Sequence, residues 1–171
     1  NHGPHRFRIV LPLAADELID EARFAVDEFL PYWADLWPSA TALARYLLDH
    51  PEITDRATII ELGAGVALPS LALRSLGRDP LITDWAGEAL VFAQSNMALN
   101  GFDASRIAIL DWRLPPADLG PTDLAIGADL VYEARNPALL VQLLPKMLTQ
   151  TGRFVLADPG RKHFAMLRDR L

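Results

Sequence analysis

Ala57-Thr58-Ile59-Ile60-Glu61-Leu62-Gly63-Ala64-Gly65-Val66-Ala67-Leu68-Pro69 is the stretch on which the fold turns. Residues 57–62 predict a short β-strand, Gly63 and Gly65 break it, and a helical run follows. The same alternation continues downstream. PLITD, RIAIL, DLAIGA and GRFVLA are β-rich runs, each followed by a helix except RIAIL, which runs into a loop. Strands that alternate with helices need crossover connections, so the expected class is α/β: a Rossmann-like, doubly wound parallel sheet with helices on both faces. In such sheets ligands bind beyond the carboxyl ends of the strands, near the point where strand order reverses. The informative residues should therefore lie just after each strand.

Upstream of this core, residues 7–11 predict a strand. Residues 14–30 predict an amphipathic helix, with Leu18, Ala22, Ala25, Val26 and Phe29 at a 3.6-residue period, ending before Pro31. A second helix is expected over 39–49, with Ser39 as N-cap and Pro51 as stop. No repeat or linker divides the chain, so residues 1–171 read as one domain, an N-terminal strand and helices over 1–50 and the sheet core over 57–171.

Sixteen basic against 22 acidic residues give a net charge of −6. That balance disfavours a protein that holds nucleic acid by neutralising phosphates. The longest charge-free stretch, residues 89–102, is 14 residues, short of the roughly 20 that span a membrane. The opening residues 1–8 lack a basic-then-apolar signal pattern and there is no cysteine; the expectation is a cytoplasmic protein. His2, His5, His50 and His163 lack metal-ligand spacing, and no metal is expected.

Gly63 and Gly65 permit positive φ and close backbone approach to a ligand at a helix N-terminus. A dinucleotide fingerprint would carry Gly or Ala where Leu68 stands, which argues against NAD. The pattern that fits is ExGxGx(G/A), in which Glu61, two residues ahead of Gly63, can meet a cationic amino group such as the ammonium of S-adenosylmethionine. A tight turn without ligand is the plain alternative. Asp84 closes its strand 19 residues after Gly65, near the spacing at which an acid reaches ribose hydroxyls, with Trp85 beside it. It could instead cap the next helix, with Glu88 completing a capping-box-like pair. Asp111 and Trp112 offer an acceptor for an adenine amine and an apolar face for its ring, or ordinary turn chemistry. Asp129 and Tyr132, three residues apart after the fourth strand of the core, can orient an amine toward an electrophile. The plain alternative there is a helix start capped by Asp129.

With these residues in place the chain resembles the seven-strand, class I S-adenosylmethionine-dependent methyltransferases, and within them methyltransferase family 16. Asp129-Leu130-Val131-Tyr132 is similar to that family's DxxY hallmark. Pro31-Tyr32-Trp33-Ala34-Asp35-Leu36-Trp37-Pro38 and Asp158-Pro159-Gly160-Arg161 resemble segments of its members that modify the β subunit of an electron-transfer flavoprotein. The likeness covers residues 31–164. It implies S-adenosylmethionine as cofactor, held by Trp37, Glu61, Gly63, Gly65, Asp84, Trp85, Asp111, Trp112 and Asp129. It further implies catalysis by Asp129 and Tyr132, and Trp37 over the methionine end, unless Trp33 and Trp37 are core aromatics on one helical face. Arg161, at the rim, would dock an acidic or carbonyl-rich protein surface, or be a solvated helix start.

The chain departs from the family in two places. Ala67 stands where glycine is common, and the chain ends at Leu171, before the family's sixth and seventh strands. Either about 30 further residues or a second chain against residues 153–157 is expected to cover the strand-five edge, making an oligomer conceivable. Three functions stay open: protein-lysine methylation, with an electron-transfer flavoprotein β subunit as the implied substrate; N-methylation of a small amine or nicotinamide-like compound; and non-catalytic cofactor binding.

Overall fold

Five strands form the centre of the computed structural model, which describes residues 5–13, 31–55 and 57–171. They are β1 Ile59–Leu62, β2 Leu81–Asp84, β3 Ile107–Ile109, β4 Thr122–Ala128 and β5 Leu148–Ala157. All neighbours pair in parallel, in the order β3-β2-β1-β4-β5. The chain thus builds outward from β1 through β2 to β3, then returns across the sheet to lay β4 on the other side of β1. The crevice outside the carboxyl ends of β1 and β4, where Leu62 pairs with Gly127, is the switch point at which such sheets bind ligands.

Period-two alternation sorts the side chains between two helical layers. Ile59, Leu124 and Ile126 pack against Leu43 and Leu47 of α1 (Pro38–Asp49) and Leu73 of α2 (Leu68–Ser75). Ile82 continues that layer against Leu71 of α2 and Ala93 and Met97 of α3 (Gly87–Leu99). Ile60, Leu62 and Ala125 face the other way, onto Leu140, Leu143 and Leu144 of α4 (Asn136–Met147) and Leu167 of α5 (Phe164–Arg168). Each such buried aliphatic contributes about 1.5–3 kcal/mol. Because both faces are covered, β1 is buried at all four positions, as a central parallel strand must be. Its Glu61 is the polar exception.

Several expected details differ. Residues 7–11 are extended but form no strand. Their Phe7 and Ile9 do point inward against the α2 and α3 layers, which is the alternation that reads as a strand. Their backbone groups, however, bond to side chains. Arg8 N–H and C=O meet Asn100 at 2.9 and 2.7 Å, and Val10 N–H and C=O meet Asn96 at 2.7 and 3.2 Å. Ser39 does not cap α1: Pro38 takes the first turn, Trp37 is the N-cap, and Ser39 is buried inside the helix. Pro51 opens a short 3-10 turn, Pro51–Thr54, instead of merely ending the helix. Trp33 lies in another 3-10 turn, Tyr32–Ala34, so it and Trp37 do not share a helical face. The helix expected over 14–30 lies outside the described residues.

Candidate active site at the switch point

The loop from β1 to α2 takes left-handed backbone at Gly63 (φ +59°) and Gly65 (φ +52°), conformations that favour glycine. A Cβ on Gly65 would also come within 3.2 Å of the Trp33 carbonyl oxygen. Ala67 is left-handed too, at φ +62°, where an L side chain costs about 1–2 kcal/mol. Its methyl is fully buried.

Two buried acids hold this loop. Asp84 Oδ2 accepts the Gly65 N–H at 2.9 Å and Oδ1 accepts the Ala86 N–H at 3.0 Å. Asp84 therefore ties the glycine loop to the end of β2. The cap of α3 is Ala86, without a side-chain cap bond, so no Asp84–Glu88 capping pair forms. Glu61 Oε2 accepts the Ser70 N–H at 3.1 Å and the Ser70 hydroxyl, satisfying one of the open donors in the first turn of α2, where Ala67 offers no side-chain cap. Burial pushes the Glu61 carboxyl up to about 8. It raises Asp84 as well, against the pull of its N–H donors.

After β3, Arg113 grips Asp111 with Nε at 2.8 Å and a terminal nitrogen at 2.7 Å, while its own N–H bonds to Asp111 Oδ1 at 2.9 Å. Its guanidinium lies 5.0 Å from the centre of the Trp85 ring. Trp112 turns inward against the buried cluster under α4. Arg113 escaped the sequence reading; its only signal was an acid two residues earlier.

After β4, Asp129 is left-handed at φ +60°, buried, and donates its N–H to the Ala157 carbonyl at 2.8 Å. It caps no helix, because α4 starts at Asn136, whose side chain donates to the Leu130 carbonyl at 2.7 Å. Instead, Oδ1 accepts Nε of Arg161. Arg161 was expected to face outward toward a protein surface or solvent; its head is turned into the cleft, 5.5 Å from the centre of the Trp37 ring. Trp37 Nε1 donates to the Tyr32 carbonyl at 2.7 Å, and the Tyr32 ring meets that of Tyr132 at 4.7 Å and 54°. Burial raises the Tyr132 phenol far above its ordinary range, with Glu133 adding to the effect.

Every residue singled out from the sequence as a site residue lines one cleft of about 1110 Å³ of empty space, including the part open to solvent, joined by Tyr32 and Arg113. Among the described residues no three His, Cys, Asp or Glu side chains form a metal-binding group.

The family model described as lysine methyltransferase matches residues 32–165, the stretch that contains this whole cleft. The chain belongs to the lysine methyltransferase family. Curated relatives include the electron transfer flavoprotein beta subunit lysine methyltransferase of Mus musculus, 30% identical over 140 residues, covering 79% of this chain and 53% of the mouse protein. The Xenopus laevis protein of the same name is 32% identical over 142 residues, covering 79% and 55%. The chain thus spans about half the length of these curated relatives. Among solved structures, the ribosomal protein L11 methylase of Lactobacillus delbrueckii subsp. bulgaricus superposes with a TM-score of 0.59 at 22% identity, covering 80% of this chain and 68% of that one. A glycopeptide N-methyltransferase, MtfA, complexed with sinefungin, gives 0.57 at 15% identity, covering 71% and 55%. These two show the fold. The matched segment begins at the aromatic turn around Tyr32 and runs past Arg161, so both walls of the cleft mouth fall inside it.

Proposed function

We propose that the chain carries the catalytic site of an S-adenosylmethionine-dependent protein-lysine N-methyltransferase. The observation that carries this is the position of Asp129: its carboxylate sits at the cleft mouth beside the glycine loop, with Oδ1 held by Arg161 and Oδ2 without a hydrogen bond among the described residues.

The cleft's chemistry fits the cofactor. The two left-handed glycines, where a Cβ would crowd Leu130 at 2.8 Å and the Trp33 carbonyl at 3.2 Å, let the turn after β1 pack closely while its backbone lines the cleft. Glu61 and Asp84 supply acceptors for an ammonium and for ribose hydroxyls; Trp85, Asp111 and Arg113 supply a ring face and polar groups for a base. When bound, S-adenosylmethionine supplies a sulfonium methyl group to a neutral amine, the N–C bond forming as the C–S bond breaks. Asp129 Oδ2 accepts an N–H of that amine and aims its lone pair. Tyr132, Tyr32 and Trp37 wall the approach to Asp129.

The curated relatives' names point to a protein acceptor of the kind of the electron transfer flavoprotein β subunit. Incubation with methyl-labelled S-adenosylmethionine and that purified β subunit, alongside a cell extract, should place label on lysine in protein. Label confined to a small-molecule amine, or no transfer at all, would overturn the proposal.

A further inference from the structure

The Asp129–Arg161 pair has more structure around it than a chance surface contact. Asp158 Oδ1 accepts the Gly160 N–H at 2.8 Å and the Arg161 N–H at 2.7 Å, closing the turn after β5 so that the Arg161 side chain points back into the cleft. Gly160 completes the turn at φ +90°. The Asp129 side chain is 5% exposed and that of Arg161 31%, so the acid lies inside and the cation closes over it. The flat guanidinium stacks toward Trp37, whose indole is itself held by the Tyr32 carbonyl. One arginine thereby joins the end of β4, the turn after β5 and the aromatic turn before α1.

We propose that Arg161 is a positioning residue: it fixes the Asp129 carboxylate with one oxygen free for the acceptor, and its positive charge admits the acceptor amine in the uncharged form. This rests on the methyltransferase reading above. The charged and titratable groups around the mouth make the sign clear. Asp129 faces it from the end of β4, Asp84 from the end of β2 and Asp35 from the aromatic turn, with Glu61, whose carboxyl burial pushes up to about 8, deeper in; Asp158 stands behind Arg161 in its turn. Burial keeps the Tyr132 phenol neutral; Glu133 pairs with Arg135 at 2.5 Å and Asp111 with Arg113. Without Arg161 the mouth is dominated by carboxylates, which hold an amine in its protonated, non-nucleophilic form. With it, the anion nearest the amine is neutralised and a cation repels the ammonium.

The experiment compares wild type with Arg161→Gln and Arg161→Lys. Methyl transfer to the electron transfer flavoprotein β subunit should fall about 100-fold in Arg161→Gln near pH 7 and only about 10-fold near pH 10, close to the lysine pKa of about 10.4. S-Adenosylhomocysteine affinity should stay within about twofold, and Arg161→Lys should recover most of the rate. An equal loss at both pH values, or no loss, overturns the proposal. A measurement without turnover separates it from the choice of acceptor: n-butylamine titrated by NMR into the S-adenosylhomocysteine complex. Wild-type affinity should climb with pH, while the Arg161→Gln profile is flat or reversed. Identical behaviour of the two proteins, including binding to neither, overturns the role of Arg161, whereas an inactive wild type that shows this difference counts only against the β subunit as acceptor.

Discussion

The Asp84 carboxylate accepts the Gly65 backbone N–H at 2.9 Å, so the acid at the end of β2 sets the shape of the glycine loop after β1. An acid placed to reach a ligand is at the same time part of the frame that the ligand rests on. Replacing Asp84 with Ala should therefore weaken S-adenosylhomocysteine binding by about 1.5–3 kcal/mol, the worth of hydrogen bonds to a charged group. Calorimetry measures this directly, and unchanged affinity would remove Asp84 from the site.

Glu61 gives the protein a pH signature. Its carboxyl is raised from 4.5 to about 8, so in that window the folded chain keeps a proton that the unfolded chain has lost. A raised pKa means stability that is fully present below about 4.5 and is lost as pH rises through about 8. Urea midpoints taken at about pH 5 and about pH 9 should therefore fall more in wild type than in Glu61→Gln. Equal falls in the two proteins would show that Glu61 does not titrate in that window.

The same buried carboxyl should report ligand charge. Binding S-adenosylhomocysteine near pH 7 brings an ammonium toward Glu61, which favours its ionised form. Calorimetry in buffers of different ionisation enthalpy should show proton release in wild type and none in Glu61→Gln.

Asp129→Ala should leave S-adenosylhomocysteine affinity within about twofold and lower turnover by about 100-fold, because what is removed is aim on the amine. Single-turnover kinetics tests this. A variant that also loses the ligand would make Asp129 a binding residue.

Asn96, fully buried in α3, donates to the Val10 carbonyl at 3.2 Å and to the Val66 carbonyl at 3.1 Å, and accepts the Val10 N–H at 2.7 Å. It links the extended N-terminal segment to the glycine loop. Asn96→Ala leaves these buried groups unpaired and should cost about 1–3 kcal/mol in denaturant unfolding. A stability equal to wild type would mean that the segment does not dock as described.

The α/β class, the order of strands in the chain and the placing of acids at the carboxyl ends of β1, β2, β3 and β4 were all legible in the sequence, because strand and helix periodicity and glycine loops are local signals. Glu61, Asp84, Asp111 and Asp129 were found because parallel strands bring their carboxyl ends to one edge. Which partner each acid meets was not legible. Ser70 on Glu61, Gly65 on Asp84 and Arg161 on Asp129 arrive from 9, 19 and 32 residues away, distances closed only by crossovers and by packing on the sheet. The extended segment at 7–11 misled for the same reason: alternation reports which side chains point inward, whereas the choice between a neighbouring strand and two asparagine side chains as backbone partner belongs to α3. Charge placement at the mouth was decided last of all, by a turn at Asp158–Arg161 that aims a cation inward, since no local pattern says in which direction an arginine on a turn will point.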